Sequence, residues 1–229
     1  MKVGVGVTTY KRPAHVQLWY DQVKKHSPEG TAMYIASDSI ARKGIAYRKN
    51  ECLKQLNHCD YIFLFDDDCF PIKDGWIDFF IQAYHASGQH HFLYMKETST
   101  IKKTQSYLTV NSTVKIEEFN NCGGCFMFLT KEVLEKVGGY NKNYGYYGYE
   151  HAGYSNRIHQ AGLTPMGMYL CPQGAGDYIY AMDYDFHLPF NAKLNHQSSL
   201  ASEMHSISTY IGNNLSVYAQ DILTINQPL

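Results

Sequence analysis

The order of secondary structure in the first third of the chain is the feature that most constrains the fold. Three short apolar runs have the length and the β-branched or aromatic character of buried strands, namely 3–8, 31–36 and 61–65. Pro13 can begin an intervening helix that extends to about His26, and a helical apolar spacing covers 43–57. Because strands and helices alternate, we expect a parallel, Rossmann-like sheet covered by helices on both faces.

The remaining pattern predicts more elements of the same α/β kind. We expect helices at 75–87, 131–137 and 150–160, and strands at 92–95, 107–110 and 125–129. The side chain of Thr130 is expected to cap the second of these helices. The pattern weakens beyond residue 169. The length of 229 residues fits one domain.

Composition argues against several classes of protein. Lys and Arg number 20 and Asp and Glu 21, and the resulting net charge of −1 argues against a nucleic-acid partner. No run reaches the roughly eighteen apolar residues of a membrane span, and the start is unlike a signal peptide, so we expect a cytoplasmic protein. Of the six cysteines, only Cys122 and Cys125 form a CxxC pair. Since a zinc site would need a second pair, we expect reduced, mostly buried thiols.

Three consecutive carboxylates follow the strand predicted at 61–65, and they are Asp66, Asp67 and Asp68. They stand at the carboxyl end of a buried strand, where open α/β sheets bind ligands. Clustered carboxylates repel one another unless a cation neutralises them, and oxygen ligands favour Mn²⁺ or Mg²⁺. We therefore predict a divalent cation that could hold a diphosphate. A solvated acidic turn is the alternative.

Several segments resemble the GT-A-fold glycosyltransferases, which use nucleotide-activated sugars. Residues 66–71 resemble the Asp-x-Asp (DxD) motif of these enzymes, while 5–13 and 44–50 resemble the first strand and following helix of family 2 members. Later segments resemble the carboxy-terminal motif of the β-1,4-galactosyltransferase and polypeptide N-acetylgalactosaminyltransferase groups, namely 122–129, 137–141, 144–151 and 156–157. The resemblance covers about residues 3–170.

The resemblance implies an α/β, mixed but mostly parallel central sheet with helices on both faces. It implies a metal-dependent hexosyltransferase, which moves a sugar from a nucleotide-diphosphate donor, expected to be UDP-linked, to a glycan or another acceptor hydroxyl. It also implies one GT-A domain over 1–229. Within it we expect a nucleotide-binding part at about 1–95, an acceptor and sugar part at about 96–190, and a tail at about 191–229.

Individual roles follow from the same resemblance. The nucleotide sugar would be bound by Thr8, Thr9, Tyr10, Arg12, Asp38, Asp66, Asp67 and Tyr147. Asp38 would contact the base, although a turn or helix-cap aspartate fits the sequence equally well. Asp68 would bind the metal ion, and Asp66 would face the metal or the ribose. A histidine is expected to complete the metal ligands, either His187 by its interval or His196.

The chain departs from its relatives on the acceptor side. Relatives usually carry Glu-Asp, whose aspartate deprotonates the acceptor in inverting members, whereas this chain has Glu150 and His151. We favour Glu150 as the catalytic base, with a pKa that burial raises, and neutral His151 is the alternative. A retaining mechanism or a degenerate site would need neither. The structural interpretation of Glu150 is an acidic residue in a first helical turn.

A tyrosine-rich segment precedes this pair. Tyr147 matches the position at which relatives place a tryptophan against the sugar, and aromatic faces pack well on sugar rings. Ordinary packing is the alternative. Gly145 and Gly148 would allow the segment to close over a donor.

Three other classes of function compete with a transferase. A nucleotidyltransferase would usually carry a glycine-rich loop after its first strand, and residues 8–13 contain no glycine. A phosphatase would usually carry an aspartate nucleophile on its first strand, and residues 3–8 contain no aspartate. The third class is a non-catalytic nucleotide-sugar or carbohydrate-binding module, in which Glu150 and His151 would be a lost active site.

Overall fold

The computed structural model of the protein describes residues 1–108 and 114–185. The strands are β1 (Val3–Thr9), β2 (Ala32–Ser37), β3 (Tyr61–Asp66), β4 (Cys69–Pro71), β5 (His91–Leu93), β6 (Lys103–Leu108), β7 (Lys115–Phe119), β8 (Phe126–Thr130), β9 (Leu170–Pro172) and β10 (Ile179–Ala181). The α-helices are α1 (Pro13–His26), α2 (Ile45–Leu56), α3 (Trp76–Ser87), α4 (Lys131–Val137), α5 (Glu150–Gln160) and α6 (Met182–Asp185). Short 3₁₀ turns occupy Lys142–Tyr144 and Ala175–Asp177.

The central sheet has five strands in the order β2-β1-β3-β8-β5. Strand β1 pairs in parallel with both β2 and β3. Strand β8 pairs antiparallel with β3 and with β5, so it alone of these five strands runs against the others. This arrangement confirms the predicted mixed, mostly parallel sheet.

The two faces of the sheet are covered in different ways. On one face, Gly4 and Gly6 let α2 approach closely, since a Cβ on Gly4 would lie 3.1 Å from Leu56 and a Cβ on Gly6 would lie 2.9 Å from Cys52. On the other face, Phe63 packs edge-on against Trp76 of α3, with ring centroids 4.7 Å apart. On the same face, Trp19 of α1 packs edge-on against Phe65, with ring centroids 6.2 Å apart. Helices therefore cover both faces, as the alternating pattern predicts.

The predicted helices and the first three strands are confirmed to within about two residues at each end. Strands β4, β7, β9 and β10 were not predicted, and the predicted strand at 107–110 overlaps only the end of β6, with 109 and 110 outside the described residues. The predicted cap at Thr130 is wrong. Its side chain makes no cap hydrogen bond to α4 and instead lies 2.8 Å from the ring of His90.

The cysteines and the helices bear on two other expectations. All six cysteines are free and buried, which confirms the prediction of reduced, mostly buried thiols. Among the helices that the structure describes, none combines the length and the apolar character that crossing a bilayer requires.

Candidate functional site

The carboxyl ends of β1 and β3 lie side by side and form the centre of the site. Thr8 and Asp66 are register partners, and the Thr8 hydroxyl donates to Asp66 Oδ1 at 3.1 Å. The next residue, Thr9, donates to Asp67 Oδ2 at 2.6 Å. Because adjacent parallel strands end at the same edge of a sheet, residues 58 positions apart in sequence meet here.

Arg12, in the loop before α1, offsets the repulsion within the acidic cluster. Its Nη1 lies 3.1 Å from Asp67 Oδ1 and 2.9 Å from Asp68 Oδ2. Both aspartates are buried, whereas the arginine side chain is 50% exposed. Burial raises the pKa of Asp67, although Thr9 and Arg12 act in the opposite direction. Arg12 therefore sits between the carboxylates and solvent.

Lys49 on α2 is a site residue that the sequence analysis did not select. Its side chain is 1% exposed, and Nζ lies 3.3 Å from Asp66 Oδ1 and 3.5 Å from Glu150 Oε1. The same nitrogen donates to the carbonyl of Gly124 at 3.1 Å. Burial raises the pKa of Asp66 to about 6, although Lys49 opposes this shift. A lysine within the apolar stripe of a helix, one turn before Cys52, is the sequence signal for it.

Glu150 and His151 begin α5 and form an ion pair, with Glu150 Oε1 3.2 Å from His151 Nδ1. Glu150 Oε2 also accepts from the backbone N–H of Gly148 at 3.1 Å. Burial alone would raise the pKa of Glu150, but His151 and Lys49 lower it to about 2. Burial likewise opposes the imidazolium, but Cys122 and Glu150 raise the pKa of His151 to about 10. The expectations of a raised Glu150 pKa and a neutral His151 are therefore wrong, while the catalytic roles stay predictions.

Asp38, just after β2, shapes the loop that leads into α2. Its Oδ1 accepts from the backbone N–H of Lys43 at 2.7 Å and from Arg48 Nε at 2.9 Å. Its Oδ2 accepts from the backbone N–H of Gly44 at 3.0 Å. Burial would raise its pKa, but these donors lower it. The contacts support the turn-aspartate interpretation, and the contact with a base stays a prediction.

The tyrosine segment, which we define as residues 145–149, docks on the start of α2. The backbone N–H of Ile45 donates to the carbonyl of Tyr146 at 3.1 Å. The guanidinium of Arg42 lies 4.6 Å from the Tyr146 ring centroid and 4.9 Å from that of Tyr10. Tyr147 is 42% exposed. Packing of Tyr147 on a sugar stays a prediction.

An open cleft of about 780 Å³ lies beside the ends of β1 and β2 and the first turns of α1. A volume of that order is typical of small-molecule sites. The cleft is lined by Thr9, Lys11, Arg12, Pro13, Val16, Gln17, Tyr20, Ile35, Ser37 and Ser39. Thr9 and Arg12 also contact the acidic cluster, so the cleft and the cluster share residues.

The fit of a divalent cation can be judged from the carboxylates. Within the described residues, no group of three or more His, Cys, Asp or Glu side chains is arranged to hold a metal ion. His187 and His196 lie outside those residues. Asp66 and Asp68 would offer carboxylate oxygens, and Mg²⁺-like ions are commonly held by one or two carboxylates together with water and substrate phosphates. The donor chemistry therefore fits a cation completed by a phosphate ligand.

Comparison with known proteins gives two sequence matches. Residues 105–178 match a family model described as the N-terminal domain of galactosyltransferase. An uncharacterised glycosyltransferase of Acanthamoeba polyphaga mimivirus is 32% identical over 129 residues, which cover 53% of this chain and 48% of that protein. The chain thus matches about half the length of this curated relative.

Solved structures give matches over more of the chain. A fragment of S. aureus TarS in complex with UDP superposes with a TM-score of 0.53 at 14% identity, covering 89% of this chain and 70% of that one. The catalytic domain of Drosophila β-1,4-galactosyltransferase 7, in complex with xylobiose, gives 0.47 at 18% identity, covering 88% and 79%. At 14% identity, the likeness to TarS reports the fold alone.

Proposed function

Because this chain has the GT-A glycosyltransferase fold, we propose that it transfers a sugar from a nucleotide-diphosphate donor to an acceptor hydroxyl in a reaction that depends on a divalent cation. The observation that carries the proposal is the convergence, at one sheet edge, of the β1 end, the acidic cluster and the Glu150–His151 pair. TarS was solved with UDP, so we propose UDP as the nucleotide. An α/β sheet places ligands at this edge.

On the donor side, the cleft beside β1 would receive the nucleoside, and Arg12 at its border would meet the phosphates. Asp68 and Asp66 would hold Mn²⁺ or Mg²⁺, with His187 proposed as a further ligand. A cation bound there would offset the negative charge that develops on the leaving diphosphate. Arg12 contacts both Asp67 and Asp68, so its guanidinium could rotate from these carboxylates to a bound phosphate.

On the acceptor side, we assign Glu150 as the base. With its pKa lowered, Glu150 is ionised at neutral pH and can accept a proton, whereas a protonated His151 has no free lone pair for that role. The tyrosine segment lies immediately before α5, and its exposed Tyr147 ring would pack against the sugar. The acceptor hydroxyl would then enter between Glu150 and the donor.

Nucleotide release tests this proposal most directly. The protein is incubated with a panel of nucleotide sugars and Mn²⁺ without acceptor, and we expect slow hydrolysis of one donor. Binding of UDP without turnover of any donor would indicate the non-catalytic module instead. If no nucleotide or nucleotide sugar binds with any divalent ion, the proposal fails.

Asp68→Ala tests the cation site. We expect the affinity for UDP in Mn²⁺ to fall at least about tenfold, because metal sites lose that much even when a supporting residue is removed. Calorimetry of UDP binding with and without Mn²⁺ measures the effect. Asp78→Ala is the matched control, since Asp78 is an exposed aspartate on α3. Equal affinities in the two variants would contradict the assignment.

A further inference from the structure

The buried ammonium group of Lys49 connects the donor side of the site with the acceptor side. The Lys49 ammonium contacts Asp66 at 3.3 Å and Glu150 at 3.5 Å, and it donates to the Gly124 carbonyl at 3.1 Å. The ring of Tyr140 lies 5.7 Å from the same nitrogen. Fully buried lysines are rare in proteins, and a buried charge is tolerated only when it is paired. The contacts therefore need an explanation beyond helix packing.

The ammonium makes three polar contacts. A lysine head group has three donors and no acceptor, and here three acceptors come from three different segments of the chain. Asp66 ends β3, Gly124 precedes β8, and Glu150 begins α5. Movement of either carboxylate would break a contact of an ammonium whose side chain is only 1% exposed.

Stability alone is a weak reason for such an arrangement. A buried ion pair often contributes no more than a well-packed apolar residue would, because desolvation cancels most of the attraction. The neighbouring Arg48 shows the contrast, since it pairs with Asp38 and Glu51 at the loop before α2 and not with the acidic cluster. Of these two adjacent basic residues, only Lys49 reaches both sides of the site.

We propose that Lys49 is a positioning residue, an inference that rests on the proposed transferase function. Its ammonium keeps the carboxylates of Asp66 and Glu150 at a fixed distance from each other. Asp66, beside the donor phosphates, and Glu150, which receives the acceptor proton, therefore stay aligned. Correct alignment of reacting groups accounts for a large part of enzymic rates, and a misplacement of about 1 Å can cost about 100-fold. Lys49 acts through these two carboxylates and does not touch the reacting atoms.

Two variants of Lys49 test the inference. Lys49→Met keeps an unbranched side chain but removes the charge, and Lys49→Arg keeps the charge but changes the donor geometry. Lys54→Met is the matched control, because Lys54 lies on the exposed face of the same helix. The measurements are the Kd of UDP in Mn²⁺, and kcat and KM for the donor that the wild type hydrolyses, each per folded molecule.

We expect kcat to fall about 100-fold in Lys49→Met and at least about tenfold in Lys49→Arg, because alignment is lost more fully without the charge. The Kd of UDP in Mn²⁺ is expected to rise about tenfold in Lys49→Met, since Asp66 is no longer held, whereas Lys54→Met matches the wild type. A purely structural lysine would lower the melting temperature and leave kcat per folded molecule unchanged.

The outcomes separate this inference from the proposed function. A wild-type kcat per folded molecule in either Lys49 variant overturns the positioning role while the transferase proposal stands. A wild type that turns over no donor overturns both. If Lys49→Met does not fold, Lys49→Arg decides the question by the same measure.

Discussion

At the scale of residues, the site is a balance of charges held at short range. Arg12 contacts Asp67 and Asp68. Lys49 contacts Asp66 and Glu150, and His151 also pairs with Glu150. The carboxylates are Asp66, Asp67, Asp68 and Glu150. Removing one partner of a buried pair leaves an uncompensated charge, so single substitutions here change more than one contact.

Separate substitutions of Glu150 and His151 by Gln identify the base. We expect Glu150→Gln to lower kcat by about 10²–10⁴, the usual contribution of a general base, with UDP affinity retained. His151→Gln should have a smaller effect, because a protonated imidazole can only orient the carboxylate. The measurement is kcat for hydrolysis of the donor that the wild type turns over. A larger loss in His151→Gln than in Glu150→Gln would move the base to His151.

At the scale of elements, the start of α2 and the tyrosine segment depend on one another. Gly44 has φ 98°, a conformation that favours glycine, and a Cβ there would overlap the carbonyl oxygen of Gly145. The backbones touch because Gly44 carries no side chain, whereas a Cβ on Gly145 would meet open space. Asp38 accepts hydrogen bonds from the backbone of Lys43 and Gly44, so it fixes the loop that ends at Gly44.

Gly44→Ala tests this contact. We expect a loss of about 1–3 kcal/mol in the free energy of unfolding from backbone strain, and a further loss from the clash. The donor KM should rise because the tyrosine segment is displaced from α2. Gly88→Ala is the matched control, since Gly88 has φ 69° but open space where a Cβ would stand. Equal losses of stability, with no change in KM in either variant, would contradict the expectation.

At the scale of the whole molecule, buried side chains of α2 tie the late part of the chain to the first three strands. Asn50 Nδ2 donates to the carbonyl of Tyr140 at 2.9 Å, and the backbone N–H of Tyr140 donates to Asn50 Oδ1 at 2.7 Å. These two residues are 90 positions apart. The clamp brings the start of α5 to the acidic cluster, because Tyr140 leads directly into the segment before Glu150.

Asn50→Ala removes both hydrogen bonds and leaves buried backbone groups without a partner. We expect the free energy of unfolding to fall by about 3 kcal/mol. For a chain of this size that corresponds to a melting temperature about 10 °C lower, measured by thermal denaturation. Asn143→Ala, at an exposed position in the following turn, should melt like the wild type. A melting temperature within about 2 °C of the wild type in Asn50→Ala would show that the clamp contributes little.

Local patterns were sufficient for the framework of the site. Apolar periodicity and helix-start signals depend on neighbouring residues, so β1 to β3, α1 to α3 and the place of the acidic cluster at a strand end follow from the sequence alone. Resemblance added Thr8, Thr9 and Arg12, which the structure brings to Asp66, Asp67 and Asp68. The division of the chain into nucleotide, acceptor and tail parts stays a prediction.

Other features depended on contacts between distant residues and could not be read locally. The reversed direction of β8 and the pairing of three-residue strands such as β4 and β10 are set by partners far away in sequence. The lowered pKa of Glu150 depends on His151 and on Lys49, which is 101 positions away, and the raised pKa of His151 depends on Cys122 and Glu150. The sequence by itself indicated most of the groups that could carry chemistry, but not Lys49. Only the tertiary structure decided their charge and pairing, because burial and Coulomb interactions depend on separation in space.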